Sequence, residues 1–155
     1  MTFIMVDGQG DPNTKGSEYS NSVGLLYAIS YTIKMSKMGN YIPSGYFEYA
    51  VPPLEGLWWM ADGTKGVDYS RKNQFCFVSM IQQPEFVTQE VFKWACGEVE
   101  KKKRLYTSLA RLEMFDEGFC VQCMHLGPFD DEPATVEKME RFIIENGFKN
   151  DISDA

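Results

Sequence analysis

The sequence is poor in several patterns, and each shortage closes off a class of function. It contains a single histidine, His125. One imidazole cannot supply the cluster of ligands a tetrahedral zinc site needs, and no Gly-x-Ser-x-Gly elbow or phosphate-cradling glycine loop accompanies it. Basic residues are too few to attract a phosphate backbone: 15 Lys and Arg stand against 22 Asp and Glu, a formal charge of −7, so direct nucleic-acid binding is not expected. The one basic run, Lys101-Lys102-Lys103-Arg104, falls where a helical pattern ends and complements the helix dipole there. No apolar stretch approaches the roughly 18 residues of a membrane span. The opening Met1-Thr2-Phe3-Ile4-Met5 also lacks the basic flank and small-residue cleavage site of a signal peptide. A cytoplasmic location and no membrane partner are therefore expected.

Cysteine is scarce and unpatterned, with Cys76, Cys96, Cys120 and Cys123 at no framework spacing, so no disulfide is expected in a reducing compartment. Cys120-Val121-Gln122-Cys123-Met124-His125 resembles the raw material of a metal or redox site. On a strand, however, residues three apart face opposite sides with Cα atoms about 10 Å apart, beyond the roughly 7 Å reach of a disulfide. Buried strand thiols and a hydrogen-bonded structural histidine are the expectation, with neither metal nor cofactor.

What the chain does have is aromatic side chains: eight tyrosines, eleven phenylalanines and three tryptophans, 14% of 155 residues. With 44% hydrophobic residues it can build the core of a single α+β domain over residues 1–155. Residues 2–6 predict a strand, and the Asp7–Asn13 stretch a turn. Ser22, Leu25, Leu26, Ile29 and Ile33 recur at helical spacing over 20–35, with Gly39-Asn40 as the stop. Residues 46–51 read as an aromatic strand ended by Pro52-Pro53, residues 57–60 as a short edge strand, and residues 62–66 as a turn. Alternation is clearest over 74–82, where Phe75, Phe77, Ser79 and Ile81 face one way and Cys76, Val78 and Met80 the other. Thr88 caps a second helix with Glu90 in its first turn and Val91, Phe92, Ala95 and Val99 as its stripe. Residues 111–115 and 119–126 flank Asp116-Glu117-Gly118 as a hairpin. A third helix follows Asp131, with Pro133 in its first turn, Val136, Met139 and Ile143 on one face, and Asn146-Gly147 at its end.

The most unusual segment is Gly45-Tyr46-Phe47-Glu48-Tyr49-Ala50-Val51-Pro52-Pro53-Leu54-Glu55-Gly56-Leu57-Trp58-Trp59. A strand there would put Glu48 beside Tyr46 on one face. A carboxylate among rings is costly unless paired or used, whereas a cleft with aromatic walls and one or two acids suits flat, cationic or electrophilic molecules.

The chain resembles the GyrI-like family, whose domain also serves as the effector-binding module of AraC- and MerR-type transcription regulators. The resemblance is carried by Phe3-Ile4-Met5-Val6-Asp7-Gly8-Gln9-Gly10-Asp11-Pro12, by Val51-Pro52-Pro53-Leu54-Glu55-Gly56-Leu57-Trp58-Trp59, and by the stretch from Cys120-Val121-Gln122-Cys123-Met124-His125 to Leu126-Gly127-Pro128-Phe129-Asp130-Asp131-Glu132-Pro133-Ala134-Thr135. The last two point to a stand-alone branch without a DNA-binding domain. The resemblance implies two β-α-β-β halves related by a pseudo-twofold, an antiparallel sheet with helices on one face, and a ligand cleft between the halves. It implies binding of a hydrophobic, aromatic or cationic compound, and in some stand-alone members hydrolytic opening of cyclopropane-bearing electrophiles. The ligand-binding residues would be Tyr46, Tyr49, Trp58, Trp59 and Met80, and the catalytic acids Glu48 and Glu55. Family chains continue into a final strand bearing a glutamate, and residues 148–155 are too short and acidic to supply it. The expected partner is a small-molecule ligand, with a homodimer left open. The alternative is a protein-interaction module of the DNA gyrase inhibitor type, its acidic charge mimicking DNA.

Overall fold

The computed structural model describes residues 1–150. They divide into two units, Met1–Asp116 and the residues from Glu117 onward. The first holds strand β1 (Thr2–Gln9), helix α1 (Glu18–Lys34), strand β2 (Leu54–Met60), strand β3 (Phe75–Gln83), helix α2 (Gln89–Lys103) and strand β4 (Ala110–Met114). The second holds helix α3 (Pro133–Glu145) after a single helical turn, Phe129–Asp131.

The four strands form an antiparallel sheet in the order β2-β3-β1-β4. Directly opposed residues share a face, so the register sorts every side chain. Ile4, Val6, Leu54, Ile81, Ala110 and Leu112 lie on the face that packs against α1 and α2. There they meet Leu25, Leu26, Ile29 and Ile33 of α1 and Val91, Phe92, Ala95 and Val99 of α2, all buried. Both apolar stripes are those the spacing predicts. Thr88 caps α2, its side chain accepting from the Val91 N–H at 3.3 Å, and Ser17 caps α1 in the same way. The last turn of α2 carries Lys101, Lys102 and Lys103.

The structure corrects three expectations. First, β1 does not stop at residue 6: Asp7, Gly8 and Gln9 stay in the ladder opposite Val78, Phe77 and Cys76. Gly8 is present for space rather than for a turn, since a Cβ there would stand 2.3 Å from Cζ of the buried Phe77 ring. Second, residues 46–51 form no strand. Gly45 turns them with φ +77° and Pro52-Pro53 denies two ladder donors, so the rings bury against Phe86 and the edge strand is β2 instead. Third, residues 119–126 form no strand. Gly118 does take a positive φ of 70°, but a strand exists only through a pairing neighbour, and the segment has none among the described residues. The pseudo-twofold pattern of halves is accordingly not reproduced by the described elements. The prediction for the 148–155 tail lies partly outside the described residues.

A polar clip fastens the loop between β2 and β3. Arg71 reaches Asp62 at 2.6 Å and Asp68 at 2.8 Å. Asp62 also accepts from Thr64, and Asp68 from Ser70. Hydrogen bonds from Thr64 and then Arg71 hold Asp62 at about 2, and those from Ser70 and then Arg71 hold Asp68 at about 2.

Two outcomes follow. Gly8→Ala forces a methyl into the Phe77 ring and should cost about 1–3 kcal/mol in urea unfolding, part of which Phe77→Leu in the same chain returns. The depressed Asp62 and Asp68 values lie below the ordinary value of about 3.9. Their stabilisation is therefore complete above that pH and is lost as pH falls through about 2. The gap in urea midpoint between wild type and an Asp62→Asn/Asp68→Asn variant should be present at pH 7 and close toward pH 2.

Candidate functional site

The sequence-predicted residues are divided among distinct places. Tyr46 and Tyr49 pack round Phe86, with ring centroids 5.3 and 5.8 Å away. The Tyr46 hydroxyl donates to the Lys34 carbonyl at 2.8 Å, which satisfies one of the acceptors left bare at the end of α1. The Tyr49 hydroxyl is buried without a partner, and burial pushes its pKa up. Glu48 is exposed and ion-paired with Lys37, so the premise that placed it among rings does not hold.

Trp58 belongs to a second aromatic group on the helix-covered face. Its ring lies 5.2 Å from Tyr19 and 5.3 Å from Phe77, with Phe75 at 6.0 Å. It leans back over Gly56, where a Cβ would come within 2.9 Å of its Nε1. Tyr19 and Phe77 were absent from the predicted wall. The sequence signal for Phe77 was the alternation of β3, and for Tyr19 its position in the first turn of α1.

Trp59, Glu55 and Met80 share the opposite face, which α1 and α2 do not cover. The register sets Glu55 opposite Met80, Leu57 opposite Val78 and Trp59 opposite Cys76. Phe3, Met5, Val78 and Met80 form a small apolar cluster here, with Leu57 and Phe115 packed on it, and Phe115 meets Phe3 edge-on at 6.3 Å. Trp59 is 45% exposed and Glu55 is exposed. On the same face Arg111 of β4 binds Asp7 and Glu113, each at 2.7 Å, and its Nη2 lies 3.7 Å from the Met5 sulfur. The face thus combines an apolar floor, one exposed indole, and three carboxylates against one guanidinium. Asp7 was missed because Gly8 was read as a turn; the alternation Phe3, Met5, Asp7 carried the signal.

In the second unit both ring nitrogens of His125 are hydrogen-bonded. Its Nε2 donates to the Pro128 carbonyl at 2.9 Å, so in the neutral ring Nδ1 accepts from the Thr135 hydroxyl at 2.8 Å. Cys120 and Cys123 are exposed rather than buried, because the strand that would have covered them does not form. No group of three or more metal-binding side chains exists among the described residues, and no helix among them is long and apolar enough to cross a membrane. A cleft bounded by the end of α1, residues 36–41 and α2 includes none of residues 46–59 in its lining.

Residues 1–154 match the model of the GyrI-like small molecule binding domain. The chain belongs to the GyrI-like family. The family match spans both units. Three crystal structures from Listeria innocua are similar to this GyrI-like chain. One is of a hydrolase, 46% identical with a TM-score of 0.86, matched over 97% of this chain and 74% of that one. A second hydrolase structure is 46% identical with a TM-score of 0.89, over 99% and 73%. An uncharacterized conserved protein is 47% identical with a TM-score of 0.88, over 97% and 72%. No curated protein matches this chain.

Thiol accessibility provides a direct check of this geometry. With an aromatic disulfide reagent, Cys120 and Cys123 should react fast and Cys76 and Cys96 slowly. Cys96 should be slowest, since burial raises its pKa.

Proposed function

We propose that this GyrI-like chain binds a planar, apolar and preferentially cationic molecule on the sheet face that carries Trp59, Glu55 and Met80, and opens electrophiles of the cyclopropane class by hydrolysis. The observation that carries the reading is the β2 alternation, which brings an exposed indole and an exposed carboxylate to one apolar face. Trp59 offers its ring to a flat or cationic guest. Met80 and Met5, both buried, lie beneath this face and let it adapt to shape. Asp7, Glu113 and Glu55 against Arg111 leave the face net negative, which favours a cation.

For turnover, the Glu55 carboxylate accepts a proton from a bound water as its oxygen attacks a cyclopropane carbon. The new C–O bond forms while the strained C–C bond breaks. The released electron pair runs into the conjugated carbonyl, whose oxygen becomes a hydroxyl by taking, through solvent, the proton that Glu55 removed from the water, which leaves Glu55 ionised again. Glu55 is assigned in preference to Glu48, which is tied to Lys37 on the helix-side loop. The hydrolases among the similar Listeria innocua structures support a hydrolytic rather than a purely sequestering role.

Calorimetric titration with a planar aromatic cation and with its neutral isostere tests the binding step. Trp59→Ala should weaken both by roughly tenfold or more; Glu55→Gln should weaken the cation selectively and abolish turnover of a cyclopropane-containing compound. Equal binding and turnover in wild type and both variants would exclude this face.

A further inference from the structure

The third tryptophan takes no part in the face that carries Glu55. Trp94 of α2 stacks on Tyr41 with centroids 4.3 Å apart and planes at 23°. The pair forms a flat wall of a cleft of about 870 Å³ between the end of α1, residues 36–41 and α2. Small-molecule sites run from roughly 300 to 1,000 Å³, so the cleft can hold a guest of two or three fused rings. Tyr31 and Met35 add apolar wall from α1 and remain 49% and 44% exposed. They are surfaces a folded core has not used.

The rim is charged. Glu98, Lys102 and Lys103 line it. Glu98 is already engaged, by Lys102 at 2.9 Å and Lys101 at 3.5 Å, and the Lys102 hydrogen bond lowers its pKa. Lys103 makes no ion pair with any described residue. Two ammonium groups against one carboxylate leave the lining positive within a chain of net charge −7. The C-terminal dipole of α2 opposes an anion, but by only about half a charge spread over several carbonyls. A direct contact with a full ammonium charge outweighs it.

We infer that this cleft is a second binding site, selective for a planar aromatic carboxylate, whose ring lies along the Tyr41–Trp94 pair and whose carboxylate meets Lys103. The site is independent of the cation-binding face, with which it shares no lining residue, and its preferred charge is the opposite one. Two sites of opposite preference would let one chain hold two chemically different molecules at once.

Calorimetry on the full chain with 2-naphthoate tests this. Saturable binding is expected; Tyr41→Leu and Lys103→Gln should each weaken it roughly tenfold, and the neutral 2-naphthylmethanol should bind more weakly than the carboxylate. Trp59→Ala should leave naphthoate binding unchanged. Lys103 is an exposed surface position, so its variant stays informative even if Tyr41→Leu disturbs the loop. Absence of saturable binding, naphthoate affinity unchanged in Lys103→Gln, or loss of binding in Trp59→Ala would each overturn the assignment.

Discussion

The register between β2 and β3 is the constraint on which the proposed chemistry depends. Trp58 opposes Phe77 and Trp59 opposes Cys76, and because side chains alternate strictly along a strand, two adjacent tryptophans are sent to opposite faces. One packs, half-buried, among Tyr19 of α1, Phe75 and Phe77 on the helix side. The other is left half-open on the face that carries Glu55, with Leu57 between them. A slip of one residue would exchange them, burying Glu55 under the helices at the cost of desolvating a carboxylate. Gly8 and Gly56 hold the register from the helix side, since each leaves room for a ring that no larger residue would admit.

The rest of the first unit serves this sorting. Two helices cover one face with a continuous apolar core, so ordinary packing is satisfied there and the other face is free to carry mixed chemistry. The irregular segment before β2 is fastened to the end of α1 by the Tyr46 hydroxyl and the Lys37–Glu48 pair, which delivers the chain to Leu54 at the start of the edge strand. The Arg71 clip on Asp62 and Asp68 secures the other end of β2.

Periodicity made the helices and β3 legible, because their apolar spacing and caps agree with the packing they enter. Residues 46–51 misled because β-propensity describes how a side chain suits a half-buried surface, and these rings found that surface on Phe86 rather than in a ladder. Residues 119–126 misled for the complementary reason: a hairpin signal specifies a turn but not a partner, and Gly118 takes its positive φ without one. Among the candidate site residues, only the register separates Glu55, Trp59 and Met80 on one face from Trp58 on the other, and Tyr46 and Tyr49 lie off the sheet altogether. Membership in the GyrI-like small-molecule-binding family was legible in the motif Val51-Pro52-Pro53-Leu54-Glu55-Gly56-Leu57-Trp58-Trp59 itself, and the family match over residues 1–154 agrees with it.

Three tryptophans in three environments make fluorine NMR of the 5-fluorotryptophan-labelled chain the most direct test of the central claim, with each resonance assigned by single substitution. On titration with a planar aromatic cation the Trp59 resonance should shift progressively while that of Trp58 holds its position. A shift of Trp58 with Trp59 unmoved would place the guest on the helix-covered face and contradict the account.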